Sequence, residues 1–205
     1  MIMNTPKLSF IYAYPLDRGR RDLFAEKGLE YPSMEEVRLV REYWEKLWID
    51  TDTEKSIIAT ITDLTEKTPE RNLECFVFGA GLQAMSTPFL LPVWNKEGKQ
   101  WSDDKFIEIV VHELLHIFLA TNNEQYWEKA QEQFCNEEVL CRNHVLLYAM
   151  LYEIYQTLFN REPIDFTRYN LPAGYARAVQ LVKELGYKEL ITEYKEIISE
   201  KSDVV

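Results

Sequence analysis

Nowhere in this chain do about 18 apolar residues follow one another, the length a helix needs to cross a bilayer, so no membrane partner is expected. The opening stretch MIMNTPKLSFIYAYPLDRGR lacks the charged head and continuous apolar segment of a secretory leader, and the sequence reads as cytoplasmic. Positive charge is also scarce. Lys and Arg number 23 against 34 Asp and Glu, for a formal net charge of -11 at pH 7. Binding a phosphate backbone takes a concentrated basic surface, so nucleic acid is not expected as a partner. The densest basic cluster, Arg18, Arg20 and Arg21, falls in a stretch that reads as solvated loop. The three cysteines, Cys75, Cys135 and Cys141, are odd in number and lack a paired metal spacing, which argues against a disulfide scaffold and for buried reduced thiols. Internal repeats and low-complexity tracts are missing as well.

What the chain does have is core-forming material. Its 205 residues are 46% hydrophobic, enough for one domain spanning 1–205 that folds alone. The apolar, aromatic run from Lys7 to Tyr14 predicts a strand ended by Pro15, followed by a loop through PLDRGRRDLFAEKGLEYPS. Ser33 with Glu36 three residues later matches a capping box, and Val37, Val40, Trp44 and Leu47 keep helical spacing after it. EKSIIATITDLTEK reads as a second helix, weakened by its β-branched residues. NLECFVFGAG and STPFLLPVW, with Gly79 and Gly81 between them, suggest paired strands, and Pro88 and Pro92 place the second at a sheet edge. After the turn NKEGKQ, Ser102 can cap a helix whose first turn holds Asp103 and Asp104, both favourable at the positive end of the dipole. Later helices are expected over Glu137 to Phe159 and Gly174 to Ser199. The class is α+β, mainly helical with a small sheet.

The helix begun at Ser102 carries VVHELLHIF, and with it two of the chain's three histidines. Residues four apart in a helix lie one turn above each other, so His112 and His116 can direct two imidazoles at one point. Glu113 is displaced around the helix from the first of them, placed to reach a water activated by a metal without ligating the metal itself. It is the candidate general base. Two ordinary histidines on an amphipathic helix, with Glu113 in solvent, would be the plain alternative. The flanks FIEIVV and IFLA are strongly apolar, however, and burying two imidazoles and a carboxylate without partners is costly, so a shared cation accounts for the pattern better.

The run His112, Glu113, Leu114, Leu115, His116 resembles the HExxH signature of the zincin metallopeptidases. The resemblance implies a zincin-like fold, a Zn2+ cofactor, and a peptide or protein substrate. A metzincin continuation would need glycine and histidine where Leu119 and Asn122 stand. The gluzincin pattern takes its third ligand from a glutamate on a downstream helix, often in an Asn-Glu pair, and Asn136, Glu137 and Glu138 supply one. That pattern has an acidic residue four positions after the ligand, where this chain has Cys141. On a helical wheel of about 100° per residue, Glu138 falls with the polar Arg142, Glu153, Gln156 and Asn160, whereas Glu137 shares a face with Cys141, Tyr148, Leu151 and Tyr155. Glu137 is thus the expected third ligand. Both glutamates also suit a solvated first turn.

His144 lies seven residues beyond Glu137, on the same face, and could be an alternative ligand, a partner to one, a catalytic donor in the transition state, or a satisfied core histidine. Tyr148 and Tyr155 could polarise a carbonyl or simply fill the core. Zinc with two histidines, a glutamate and an open position suits peptide hydrolysis, with Glu113 moving the proton. TPFLLPV could hold extended substrate by strand addition. Two other functions compete: a non-catalytic binding or regulatory protein that keeps a zincin-like metal site, and a hydrolase of some non-peptide bond. Glu113 favours an enzyme, because a purely structural metal needs no base.

Overall fold

A computed structural model describes residues 6–49, 53–69, 71–120, 123–168 and 170–199. Asn122, where a metzincin has its third histidine, lies outside them. Helices dominate and one small mixed sheet accompanies them, an α+β architecture. The chain divides into two compact units, Met1–Ile58 with Thr68–Leu114, and Ala59–Lys67 with Leu115–Val205.

The first unit holds the sheet. Strand β1 (Leu8–Tyr12) pairs in parallel with β2 (Leu73–Phe78), Leu8 opposite Leu73. Strand β3 (Met85–Ser86) runs antiparallel to β4 (Phe89–Pro92), and β4 runs parallel to β2, for the order β1-β2-β4-β3. The run expected at the edge is therefore flanked on both sides, by β2 and, over Phe89 and Leu90, by the two-residue β3. Its prolines are tolerated because β3 covers only Phe89 and Leu90, while Pro92 lies beyond that pairing, opposite the end of β2. The next residue restores the ladder, Val93 N–H donating to the Phe78 carbonyl at 2.8 Å.

Helix α1 (Tyr14–Glu26) occupies the stretch that reads as a loop and carries the cluster Arg18, Arg20 and Arg21. Proline in its first turn suits a helix start, but its one buried residue is Asp17, so no apolar periodicity announces it. The Asp17 carboxylate is fully buried and accepts from Tyr12 Oη (2.7 Å), Arg21 Nη2 (2.7 Å), Tyr31 Oη (2.9 Å) and the Gly79 amide (2.8 Å). Four donors thus offset the desolvation of one charge and tie α1 to the ends of β1 and β2.

Helix α2 (Met34–Ile49) begins as its sequence predicts, with the Glu36 amide donating to Ser33 Oγ at 3.0 Å. Glu36 does not complete a capping box, because its carboxylate accepts instead from the Trp94 indole at 2.9 Å. Val37, Val40, Trp44 and Trp48 form its buried stripe. The Trp44 ring stacks on Phe106, centroids 4.7 Å apart and planes at 12°. Helix α3 (Thr53–Thr65) forms despite its β-branched content, with Ile57, Ile58 and Ile61 fully buried. Helix α4 (Asp103–Leu119) starts at Ser102, whose Oγ accepts from the Lys105 amide at 3.3 Å. It is buried nearly all round, from Phe106 to Leu119, as a helix within a core must be.

The second unit is helical: α5 (Glu124–Gln133), α6 (Val139–Phe159), the short α7 (Ile164–Thr167), α8 (Ala173–Leu185) and α9 (Tyr187–Ser199). Helix α6 is its hub, packed on α8 and α9, with every residue from Val145 to Leu151 buried. The single helix expected over Gly174 to Ser199 is two, divided at Gly186, whose φ of +88° suits glycine and ends α8. Helix α5 has only Tyr126 and Ala130 buried, too thin a stripe to read from sequence. No helix of the described residues is long and apolar enough to cross a membrane. All three cysteines are free, Cys75 and Cys141 buried and Cys135 exposed.

Candidate metal centre

Helix α4 places the motif. The division between the two units passes through it after Leu114, yet α4 is one unbroken helix, so His112 and His116 stand one turn apart on it. The partner they acquire is His144, on α6. Its Nε2 lies 3.1 Å from His116 Nε2, and the two rings meet edge-on at 4.8 Å between centroids. One ring nitrogen from each of His112, His116 and His144 falls within 4.8 Å of the others.

The orientation of His144 is set locally. Its Nδ1 lies 2.7 Å from the Leu140 carbonyl one turn back on α6, and a carbonyl can only accept, so Nδ1 carries the proton. In the neutral ring this leaves the Nε2 lone pair facing His116. Tyr175 on α8 holds the ring from the side, edge-on at 4.6 Å. Helix α8 can approach so closely because its second residue is Gly174, where a Cβ would stand 2.9 Å from Leu140 Cδ2.

Burial favours the uncharged forms of His116, His144 and Glu113. Burial lowers the pKa of His116 to about 4, with the neighbouring His144 adding to the effect. Burial lowers His144 too, opposed by its bond to Leu140. Neutral imidazoles are the form that ligates. Glu113 is 7% exposed, and burial pushes its carboxyl up to about 8. Beneath it in the first unit lies Cys75 of β2, fully buried, its thiol raised first by burial and then by Glu113. A divalent cation beside Glu113 would act in the opposite direction, favouring the carboxylate.

The three imidazole nitrogens could hold a metal ion. Two nitrogens on one tetrahedral zinc, each at about 2.0–2.1 Å, stand about 3.3 Å apart, and His116 and His144 already approach that spacing.

Glu137 does not join this group. Helix α6 begins at Val139 with Glu138 as its N-cap, so Glu137 precedes the helix and the wheel that gave it an inward face does not apply. Its Oε1 accepts from Arg177 Nε (3.0 Å) and Nη2 (2.8 Å), and those bonds lower its pKa. Glu138 is exposed. Tyr148 donates to Asp165 at 3.1 Å, both buried, and Tyr155 is fully buried. Two residues escaped the sequence reading. Tyr175 carries no local signal. Glu108 did carry one, as the lone charge within FIEIVV, and it lies 1% exposed with Lys105 Nζ donating to its Oε1 at 2.6 Å.

Comparison of the chain with protein-family models, with curated proteins and with solved structures gave no match.

Proposed function

We propose that this chain is a zinc-dependent metallopeptidase of the zincin type, with His112, His116 and His144 as metal ligands and Glu113 as general base. The observation that carries the reading is the pair of imidazole nitrogens at 3.1 Å, one of them with its tautomer fixed, on the helix that also bears Glu113. Histidine replaces glutamate as the third ligand expected from the gluzincin resemblance. Leu140 holds the proton on His144 Nδ1 and so frees Nε2 to bind, a supporting contact of the kind that orients metal-ligating histidines. A zinc ion held there would activate water and polarise a substrate carbonyl. Glu113 stands about 100° around α4 from His112, where it can take a proton from the attacking water and deliver it to the leaving amine. Its burial excludes bulk water that would compete for that proton. Peptide or protein is the substrate class, the acidic chain disfavouring nucleic acid. Three free thiols favour a cytoplasmic setting.

Metal analysis of protein purified without an affinity tag tests the centre: near-stoichiometric zinc is expected, lost in His112→Ala. Glu113→Gln is expected to keep its zinc and to lose hydrolysis of a fluorogenic peptide library by about 10²–10⁴-fold, the scale of a general base. Full activity in zinc-loaded Glu113→Gln would eliminate the mechanism.

A further inference from the structure

On α6, Val139, Arg142 and Asn143 stand at positions i, i+3 and i+4 of one helix face, and on α5 Trp127, Ala130 and Gln131 repeat that spacing. Together they line a cleft of about 230 Å³ within the second unit. Arg142 and His144 are separated by about 200° around α6, so the cleft lies on the side of that helix away from the metal centre. It serves none of the steps proposed above.

One wall is apolar. Val139 is 60% exposed, and the buried Ala130 and half-buried Trp127 continue its surface. The rim is polar, with the exposed amides of Gln131 and Asn143 beside the half-buried Arg142. Among the described residues no acceptor engages the Arg142 guanidinium. Glu138, four residues before it, is the N-cap of α6 and forms no ion pair with it. A chain of formal net charge -11 repels anions at long range, so an anion held here is held by the guanidinium itself, whose parallel N–H groups match a carboxylate.

Size decides the occupant. Sites for drug-sized molecules run to about 300–1,000 Å³, so this cleft accommodates about one residue. A C-terminal residue carries its carboxylate and its side chain on a single Cα and can meet both Arg142 and the apolar wall. An internal Asp or Glu spends the same space on its charge and leaves the wall to a second residue. We infer that the cleft binds the free C-terminus of a polypeptide whose last residue is apolar, its carboxylate on Arg142 and its side chain against Val139, Ala130 and Trp127. The amides of Gln131 and Asn143 bond the peptide unit before it. The inference is independent of the metal centre.

The test is heteronuclear NMR of the full chain, titrated with N-acetyl-leucine as the smallest such terminus. N-acetyl-leucinamide lacks the carboxylate, N-acetylglycine lacks the side chain, and the α-amide of N-acetyl-aspartate stands for an internal acid. N-acetyl-leucine is expected to bind saturably at millimolar concentration and to shift the Trp127 indole and the side-chain amides of Gln131 and Asn143. Removing the charge from either partner, in N-acetyl-leucinamide or in Arg142→Gln, is expected to weaken binding by at least about 10-fold, the low end for a hydrogen bond to a charged group. Val139→Ser is expected to abolish the preference for leucine over glycine. Circular dichroism checks that both variants fold; if Arg142→Gln does not, the four ligands on the parent and Val139→Ser decide. An aspartate α-amide that binds as tightly as N-acetyl-leucine would show a site for any carboxylate and refute the C-terminal reading. Shifts confined to the histidine rings would put the carboxylate at the metal centre, and these, or the absence of saturable shifts, or unchanged affinity in folded Arg142→Gln, would overturn the inference.

Discussion

Replacing His144 with alanine separates the three-histidine centre from the glutamate-ligated one that the motif's resemblance implies. His144 brings its Nε2 to 3.1 Å from that of His116, so its loss removes one of the three ligands proposed above. Contacts that only support a ligand are worth about 10–100-fold in metal affinity, so losing a ligand should exceed about 100-fold, or about 2.7 kcal/mol. The change also removes the ring N–H that the Leu140 carbonyl accepts beside its helical amide, a cost to the metal-free fold of about 0.5–1.5 kcal/mol. Chelator competition measures the first effect and urea unfolding in excess chelator the second. Parent protein at zinc concentrations near 100 times its Kd should gain about 2.7 kcal/mol over its metal-free form, a gain that His144→Ala forfeits. Glu137→Ala is the control. Its carboxylate is engaged by Arg177 at 2.8 and 3.0 Å, so zinc affinity should stay within about twofold of the parent, as for an ordinary surface change. Parent-like affinity in His144→Ala, together with a large loss in Glu137→Ala, would refute the three-histidine assignment and restore the glutamate.

Two further outcomes concern the first unit. Asp17→Ala should destabilise the chain by about 3 kcal/mol in urea unfolding, the low end for breaking a buried ion pair, because the Arg21 side chain left behind keeps 26% of its surface. A change below about 0.5 kcal/mol, the size of a surface substitution, would show that the four donors find water instead. Gly79→Ala should cost about 1–3 kcal/mol by overpacking, since a Cβ there overlaps the Tyr31 ring that donates to Asp17, and an unchanged urea midpoint would mean that ring moves freely.

The elements that could be read from sequence are those whose signal is local. Ser33 and Ser102 both accept the expected amide, and α2 buries Val37, Val40 and Trp44 as its spacing predicts, with Trp48 in place of Leu47. Helix α1 was illegible because its buried face consists of Asp17, whose partners Tyr31 and Gly79 lie 14 and 62 residues away. The inner position of β4 departs from the edge its prolines predict for a related reason. Proline excludes a strand from places that need its N–H, but whether a place needs one depends on the neighbour's length, and β3 has only two residues.

The candidate site divides along the same line. His112, Glu113 and His116 are legible because a helix alone fixes their relation, and nothing distant is required. The third ligand proposed comes from another helix, and there a boundary displaced by two residues matters: with α6 starting at Val139, Glu137 falls outside the helical wheel that turns it inward. His144, well inside α6, keeps its direction whatever the boundary. A ligand near a helix end inherits the uncertainty of that end, whereas one more than a turn in does not, so of two candidates on one face the interior one is the sounder choice.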